Sequence, residues 1–148
     1  MRIIRFLDDD NKRHWGVREG HQARILTADP CAGRPTVGDR IISIRGVLAP
    51  TEPINVFCIG KNYAGHVAET KSEVPSHPVI FMKPTTAVIG PEEAIRFPVV
   101  CRGVPQVDFE GELAVVIGRT ARHVPEAEAL DYVLSHACTN DASARWWQ

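Results

Sequence analysis

Polar and apolar positions alternate in strand fashion over residues 2–7, which predicts a half-buried β-strand. The Asp8-Asp9-Asp10-Asn11 run that follows has turn chemistry. Residues 15–18 and 23–26 flank Glu19-Gly20 and predict a hairpin. Residues 41–47 read as one more short strand, and Trp15 and the other aromatic residues of this segment as core filling. The prolines of Ala49-Pro50-Thr51-Glu52-Pro53 mark a linker, so residues 1–49 are expected to form a small N-terminal β domain and residues 50–148 a second unit. In that unit strands dominate, over residues 54–59, 79–82, 113–117 and 135–138, with a helix over 125–133. The expected fold class is mostly β with few helices.

The strongest chemical signal is Val107-Asp108-Phe109-Glu110-Gly111-Glu112-Leu113-Ala114-Val115-Val116-Ile117. Its second half has the β-branched, apolar content of a buried strand ended by Gly118. Side chains alternate along a strand, which puts Glu110 and Glu112 on one face about 7 Å apart. Two carboxylates at that spacing repel by about 2 kcal/mol at an effective dielectric of about 20. A strand entering a core tolerates the pair when water or a cation takes up the charge. Acid-x-acid at period two also serves as the wet face of a half-exposed strand. A third carboxylate, Asp141 in Asn140-Asp141-Ala142-Ser143-Ala144-Arg145, favours the cation. Three carboxylates make a hard oxygen site, suited to Mg²⁺, Mn²⁺ or Ca²⁺ rather than zinc.

A second constellation lies upstream. Lys61-Asn62-Tyr63-Ala64-Gly65-His66-Val67-Ala68-Glu69 can form a short helix, with His66 and Glu69 three residues apart on one face. A carboxylate beside an imidazole orients its tautomer and favours its protonated form, which is how a general base is built. The same spacing also occurs in ordinary surface pairs.

Composition narrows the function classes. The 148 residues carry a formal net charge of -1 with both signs interspersed, so no basic patch for nucleic acid and no polybasic membrane anchor is expected. No apolar run approaches the ~20 residues that span a bilayer, and the first residues lack the apolar core of a signal peptide. Cys31, Cys58, Cys101 and Cys138 are scattered without paired spacing, and Cys58 and Cys138 read as small hydrophobes in apolar stretches. A reduced, cytoplasmic protein is the expectation.

Taken together, Cys58-Ile59-Gly60-Lys61-Asn62-Tyr63 with His66 and Glu69, then Phe81-Met82-Lys83-Pro84, then Asp108 to Gly118 and finally Asn140 to Arg145 resemble, in order and spacing, the fumarylacetoacetate hydrolase family. The resemblance runs from about Pro50 to the last residue, and residues 1–49 look like the small N-terminal domain of bacterial members. It implies a mixed β-sandwich or roll with a divalent metal, Mg²⁺ or alternatively Mn²⁺ or Ca²⁺, at its mouth. Glu110, Glu112 and Asp141 then correspond to the metal ligands, and His66 with Glu69 to a water-activating dyad on a helix that closes over the site. Gln148 resembles a glutamine that supports an oxyanion. Lys83 and Arg145 are placed to hold a substrate carboxylate or neighbouring acids, Lys83 being equally readable as a solvated strand end. Tyr63 either lines the pocket or packs under the loop.

The implied activity is metal-dependent hydrolysis of a C–C bond in an acylpyruvate or fumarylpyruvate-type β-diketo acid through a metal-bound enolate. Isomerisation of an unsaturated hydroxy-diacid and decarboxylation of oxaloacetate stand as alternatives on the same scaffold, and a catalytically inactive fragment as a third. The implied partners are a small keto-acid substrate and a second copy of the chain in a homodimer. Two departures accompany the resemblance. The chain ends at Gln148 where family members continue, so it reads as the first part of the catalytic domain, and Trp146 follows Arg145 where the family has an acid.

Overall fold

The computed structural model describes residues 1–33, 35–103 and 106–147. Its N-terminal part is a five-stranded antiparallel sheet built from β1 (Ile3–Leu7), β2 (Arg13–Glu19), β3 (Gln22–Leu26), β4 (Val37–Ser43) and β5 (Gly46–Val47), in the order β4-β3-β2-β1-β5. The hairpin expected at Glu19-Gly20 joins β2 to β3, with Gly20 at a φ of 66°, a left-handed conformation that glycine adopts without Cβ strain. The single strand expected over residues 41–47 is two strands on opposite edges of the sheet. Ile44 and Arg45 leave the ladder to hydrogen-bond His21 O and Leu7 O, and the chain passes from β3 to β1. Three Cα steps reach at most about 11 Å, whereas the edges of a flat five-stranded sheet stand about 19 Å apart. The sheet is therefore curled, which brings its two edges within about 11 Å at that end.

The curl encloses the core. Ile4, Phe6 and Ala23 are buried on the inner face, with Ile42, Ile44 and Val47 packed against them. Gly16 belongs to this packing: a Cβ there would lie 2.8 Å from Arg24 O and 3.1 Å from the Phe6 ring. Trp15 does not fill this core as expected. It pairs across the sheet with Arg5 and so lies on the face opposite Gly16 and Phe6, half-buried. Arg5 itself is buried there because the linker covers it: its guanidinium pairs with Glu52, which also takes Arg13 at 3.1 Å.

Beyond the linker the strands pair in twos. β6 (Val56–Gly60) pairs with β7 (Val79–Lys83), β8 (Val107–Asp108) with β11 (Ser143–Ala144), and β9 (Gly111–Ile117) with β10 (Val133–Asn140), all antiparallel. The helix α1 (Ala64–Glu69) follows β6. The mostly β class expected from sequence is the observed one. The helix expected over residues 125–133 is instead a 3-10 helix, Glu126–Tyr132. Its bonds run from Glu128 N to Pro125 O and from Val133 N to Leu130 O, and Leu130 stays exposed, so no apolar face rewards a wider α turn. The strand expected to be buried over residues 113–117 is β9, and it is not buried. Glu112, Ala114 and Val116 face inward, half-buried, while Leu113, Val115 and Ile117 are exposed because no described element covers that face. Among the described residues no helix is long and apolar enough to cross a membrane.

Candidate active site

The register of the last four strands explains why residues 30 positions apart meet. The β9–β10 ladder ends at the pair Gly111–Asn140, and the β8–β11 ladder starts at Asp108–Ser143. Phe109-Glu110 on one side and Asp141-Ala142 on the other form a break in what is otherwise one antiparallel pair. Side chain and backbone pin the break: Glu110 N–H donates to Asn140 Oδ1 at 3.0 Å, and Asp141 N–H donates to Glu110 O at 2.8 Å. Phe109 turns outward and Glu110 inward, half-buried beside Glu112.

β6 and β7 supply the facing wall. Val56, Cys58 and Gly60 on β6 and Phe81 and Lys83 on β7 are the half-buried positions, at period two. Lys83 Nζ lies 2.5 Å from Asp141 Oδ1. Asp141 is only 8% exposed, and Oδ1 receives the ammonium as an ion-pair partner without the alignment of a hydrogen bond. Arg145 pairs with Glu110, with Nη2 3.0 Å from Oε1, while its Nε donates to Asp108 Oδ2 at 2.9 Å. His66 Nε2 stands 4.0 Å from the other Glu110 oxygen, Oε2.

Electrostatics report how close these groups are. The Glu112 carboxyl is pushed above its ordinary value by burial first and by the charges of Asp141 and Glu110 next, against the pull of Lys83 and His66. Burial, then the same Asp141 charge, raises the Cys58 thiol. Hydrogen bonding to Asp108 leads the causes that raise the Arg145 guanidinium. One neighbourhood thus holds four carboxylates, two cations, an imidazole and a thiol.

The sequence-predicted residues fall unevenly on this geometry. Glu110, Glu112, Asp141, Lys83, Arg145 and His66 come together. Glu69 does not join His66: it is exposed, and no hydrogen bond or ion pair among the described residues links the two, because the α1 turn directs His66 toward Glu110. Tyr63 directly precedes α1. Its hydroxyl accepts the Leu113 N–H at 2.9 Å and ties the start of α1 to β9. Gln148 lies outside the described residues. Two participants were missed. Asp108 was signalled by its place in an Asp-x-Glu-x-Glu series, and Cys58 by its period with Val56 and Gly60.

Whether the cluster fits a divalent cation is a matter of its donors. The carboxylates form an all-oxygen set, Asp141 Oδ1 is buried without a hydrogen bond, and Glu112 has no fixed counter-ion of its own among the described residues. Among those residues, no three Asp, Glu, His or Cys side chains converge on one point at ligand distance. Asp141 and Glu110 instead each hold a side-chain cation. By donor type alone, the carboxylates of Glu110, Glu112 and Asp141 suit a hard ion. A cavity of about 370 Å³ lies elsewhere, between the N-terminal sheet, the linker and residues 85–93.

Residues 55–148 match the family model described as Fumarylacetoacetate (FAA) hydrolase C-terminal, and residues 1–50 the one described as Rv2993c-like, N-terminal. The chain is 48% identical over 125 residues to Protein Rv2993c of Mycobacterium tuberculosis, covering 83% of this chain and 46% of that protein. Over 114 residues it is 41% identical to caffeoylpyruvate hydrolase of Neonothopanus nambi, 74% of this chain and 39% of the relative. The mitochondrial oxaloacetate tautomerase fahd2 of Xenopus laevis is 41% identical over 103 residues, 69% and 31%. Among solved structures, 5-carboxymethyl-2-hydroxymuconate delta-isomerase from Mycobacterium smegmatis superposes with a TM-score of 0.80 at 36% identity, covering 100% of this chain and 57% of its own. The 2-hydroxyhepta-2,4-diene-1,7-dioate isomerase from Mycobacterium marinum gives 0.78 at 36%, covering 100% and 56%. The chain thus spans about half the length of the relatives it matches.

Proposed function

The chain belongs to the fumarylacetoacetate hydrolase family, whose named members here include a hydrolase, isomerases and a tautomerase, and from that premise we propose a divalent-cation-dependent hydrolase of acylpyruvate or fumarylpyruvate-type β-diketo acids. The observation that carries this reading is the gathering of Glu110, Glu112 and the buried Asp141 beside His66. Glu110, Glu112 and Asp141 hold the ion, Mg²⁺ or alternatively Mn²⁺ or Ca²⁺. When bound it supplies Lewis-acid polarisation of the keto-acid oxygens.

The remaining steps fall to side chains. His66, whose Nε2 stands 4.0 Å from Glu110 Oε2, takes a proton from a water that adds to the distal carbonyl of the substrate. The C–C bond then breaks to give a carboxylic acid and the enolate of pyruvate, which takes up at carbon the proton that His66 removed from water and becomes pyruvate. Lys83 and Arg145 are the cations nearest a bound keto acid, and their charge favours its carboxylate. Tyr63 holds α1, and with it His66, against β9. Glu69 and Gln148 keep the roles that the family resemblance gives them, as helper of His66 and support for an oxyanion.

A second reading, isomerase or decarboxylase on the same site, is favoured by the solved neighbours that carry isomerase names. A reduced cytoplasmic setting is supported by four cysteines that form no disulfide, and a homodimer by the apolar outward faces of β6, β7 and β9. A product assay across acylpyruvates, oxaloacetate and hydroxy-dienoates, with Mg²⁺ and with chelator, separates the readings. Metal-dependent pyruvate release from acylpyruvates is the expected result. Carbon dioxide from oxaloacetate, or an isomerised diacid without cleavage, would replace hydrolysis by the second reading, and no product from any of them would leave binding without turnover.

A further inference from the structure

The geometry points to Asp108 as a positioning residue: it fixes the Arg145 guanidinium so that Arg145 in turn fixes Glu110. The ladder places the pair. Asp108 is the last residue of β8 and lies opposite Ser143. Arg145 follows β11 directly, and its own N–H extends the same ladder to Gln106 O at 2.8 Å. Asp108 and Arg145 are therefore diagonal neighbours across two hydrogen-bonded strands, within reach of long side chains.

A guanidinium presents its N–H donors in one rigid plane. With Nε on Asp108 Oδ2 at 2.9 Å, the direction of Nη2 is no longer free, and it meets Glu110 Oε1 at 3.0 Å. Glu110 is then held by one oxygen, and Oε2 is the oxygen that faces His66. Loss of Asp108 removes the contact that directs Nη2 toward Glu110. The Asp108 side chain is 59% exposed, so water screens its direct field at the other acids. Its influence has to travel through Arg145. That is the role of an outer partner that orients a ligand it does not replace.

The consequence for the metal rests on the cation-site reading proposed above, whereas the contact itself does not. Two measurements keep them apart. The first needs no metal and no variant: exchange of the Arg145 Nε–H, read by ¹⁵N-edited NMR, is expected to be at least about tenfold slower than in free arginine, as for a held hydrogen bond. Asp108→Asn speeds it and Asp108→Glu restores part of the protection. The second is Mn²⁺ affinity without substrate, read by paramagnetic resonance of the free ion. Asp108→Asn raises the dissociation constant roughly tenfold, but by less than about twofold when Arg145 is already alanine, because the two changes share one route. An unprotected Nε–H in the unaltered chain overturns the inference, whatever the variants do. So does a Mn²⁺ effect of equal size in both backgrounds, which would make Asp108 a plain charge. Protection of Nε–H in a chain that binds no Mn²⁺ upholds the placement of Arg145 and sinks the cation site instead.

Discussion

Replacing Lys83 by methionine removes the ammonium that Asp141 holds at 2.5 Å and that stands 5.8 Å from the Phe81 ring centre, while keeping most of the aliphatic stem. Asp141 is 8% exposed, so its charge cannot turn to water when the ammonium goes. Breaking a buried pair from one side costs about 3–5 kcal/mol. The Lys83 side chain is 28% exposed, which puts the expected loss at the lower end, about 3 kcal/mol. The opposite change, Asp141→Asn, is not symmetrical. Lys83 can reach solvent, and the repulsion of Asp141 on Glu112 disappears, so the cost is expected near 1 kcal/mol. Mg²⁺ then discriminates. An ion bound only by the folded chain adds about 2.7 kcal/mol at a hundred times its dissociation constant. In Lys83→Met it meets an uncompensated Asp141 and restores most of the loss, and in Asp141→Asn it restores little. Urea unfolding followed by circular dichroism, with chelator and with Mg²⁺, reads all of these differences. Equal costs for the two substitutions, or a Lys83→Met loss that Mg²⁺ leaves untouched, would refute the reasoning.

Two further outcomes concern the N-terminal sheet. The Asp8 carboxyl, which accepts from His14 Nε2 and from the Lys12 and Asp10 N–H groups, is held below its ordinary value, chiefly by the His14 hydrogen bond. A depressed carboxyl stabilises the fold above its unfolded value of about 3.8 and loses that contribution as the pH falls through the lower folded value. Denaturant midpoints should therefore drop in that acid range, and Asp8→Asn should flatten the drop; an unchanged acid limb would remove Asp8 from the explanation. Gly16→Ala forces a Cβ against Arg24 O and the Phe6 ring, so a loss of about 1–3 kcal/mol is expected in the same unfolding assay, and a neutral result would mean that the sheet opens freely there.

What the sequence disclosed, and what it withheld, follows from the range of the forces involved. The hairpin at Glu19-Gly20 and the strands β1, β6, β7 and β9 are set by local alternation and turn chemistry, which a single chain displays openly. The division of residues 41–47 into β4 and β5 depends on which edge each half meets, and no local pattern carries that. The apolar run of β9 suggested burial, but periodicity speaks only of faces, not of what covers them. At the site, the acids were readable because chemistry forces their type. The approach of Glu110 to His66 was not. Helical spacing spoke only of Glu69 on the same turn, while the ladder break brings Glu110 within 4.0 Å from 44 positions away. Asp108 stood in the same acidic series but gained a role only once β8 and β11 brought Arg145 beside it.

Calorimetric titration of Mg²⁺ into the unaltered chain and into Glu110→Gln, Glu112→Gln and Asp141→Asn asks whether three carboxylates share a single ion. One ion per chain is expected, with each substitution weakening it by at least about tenfold, as loss of a charged ligand from an oxygen site should. Binding that survives any one of the three changes at full strength, or a stoichiometry above one that the changes reduce piecemeal, would mean that these acids do not form one site.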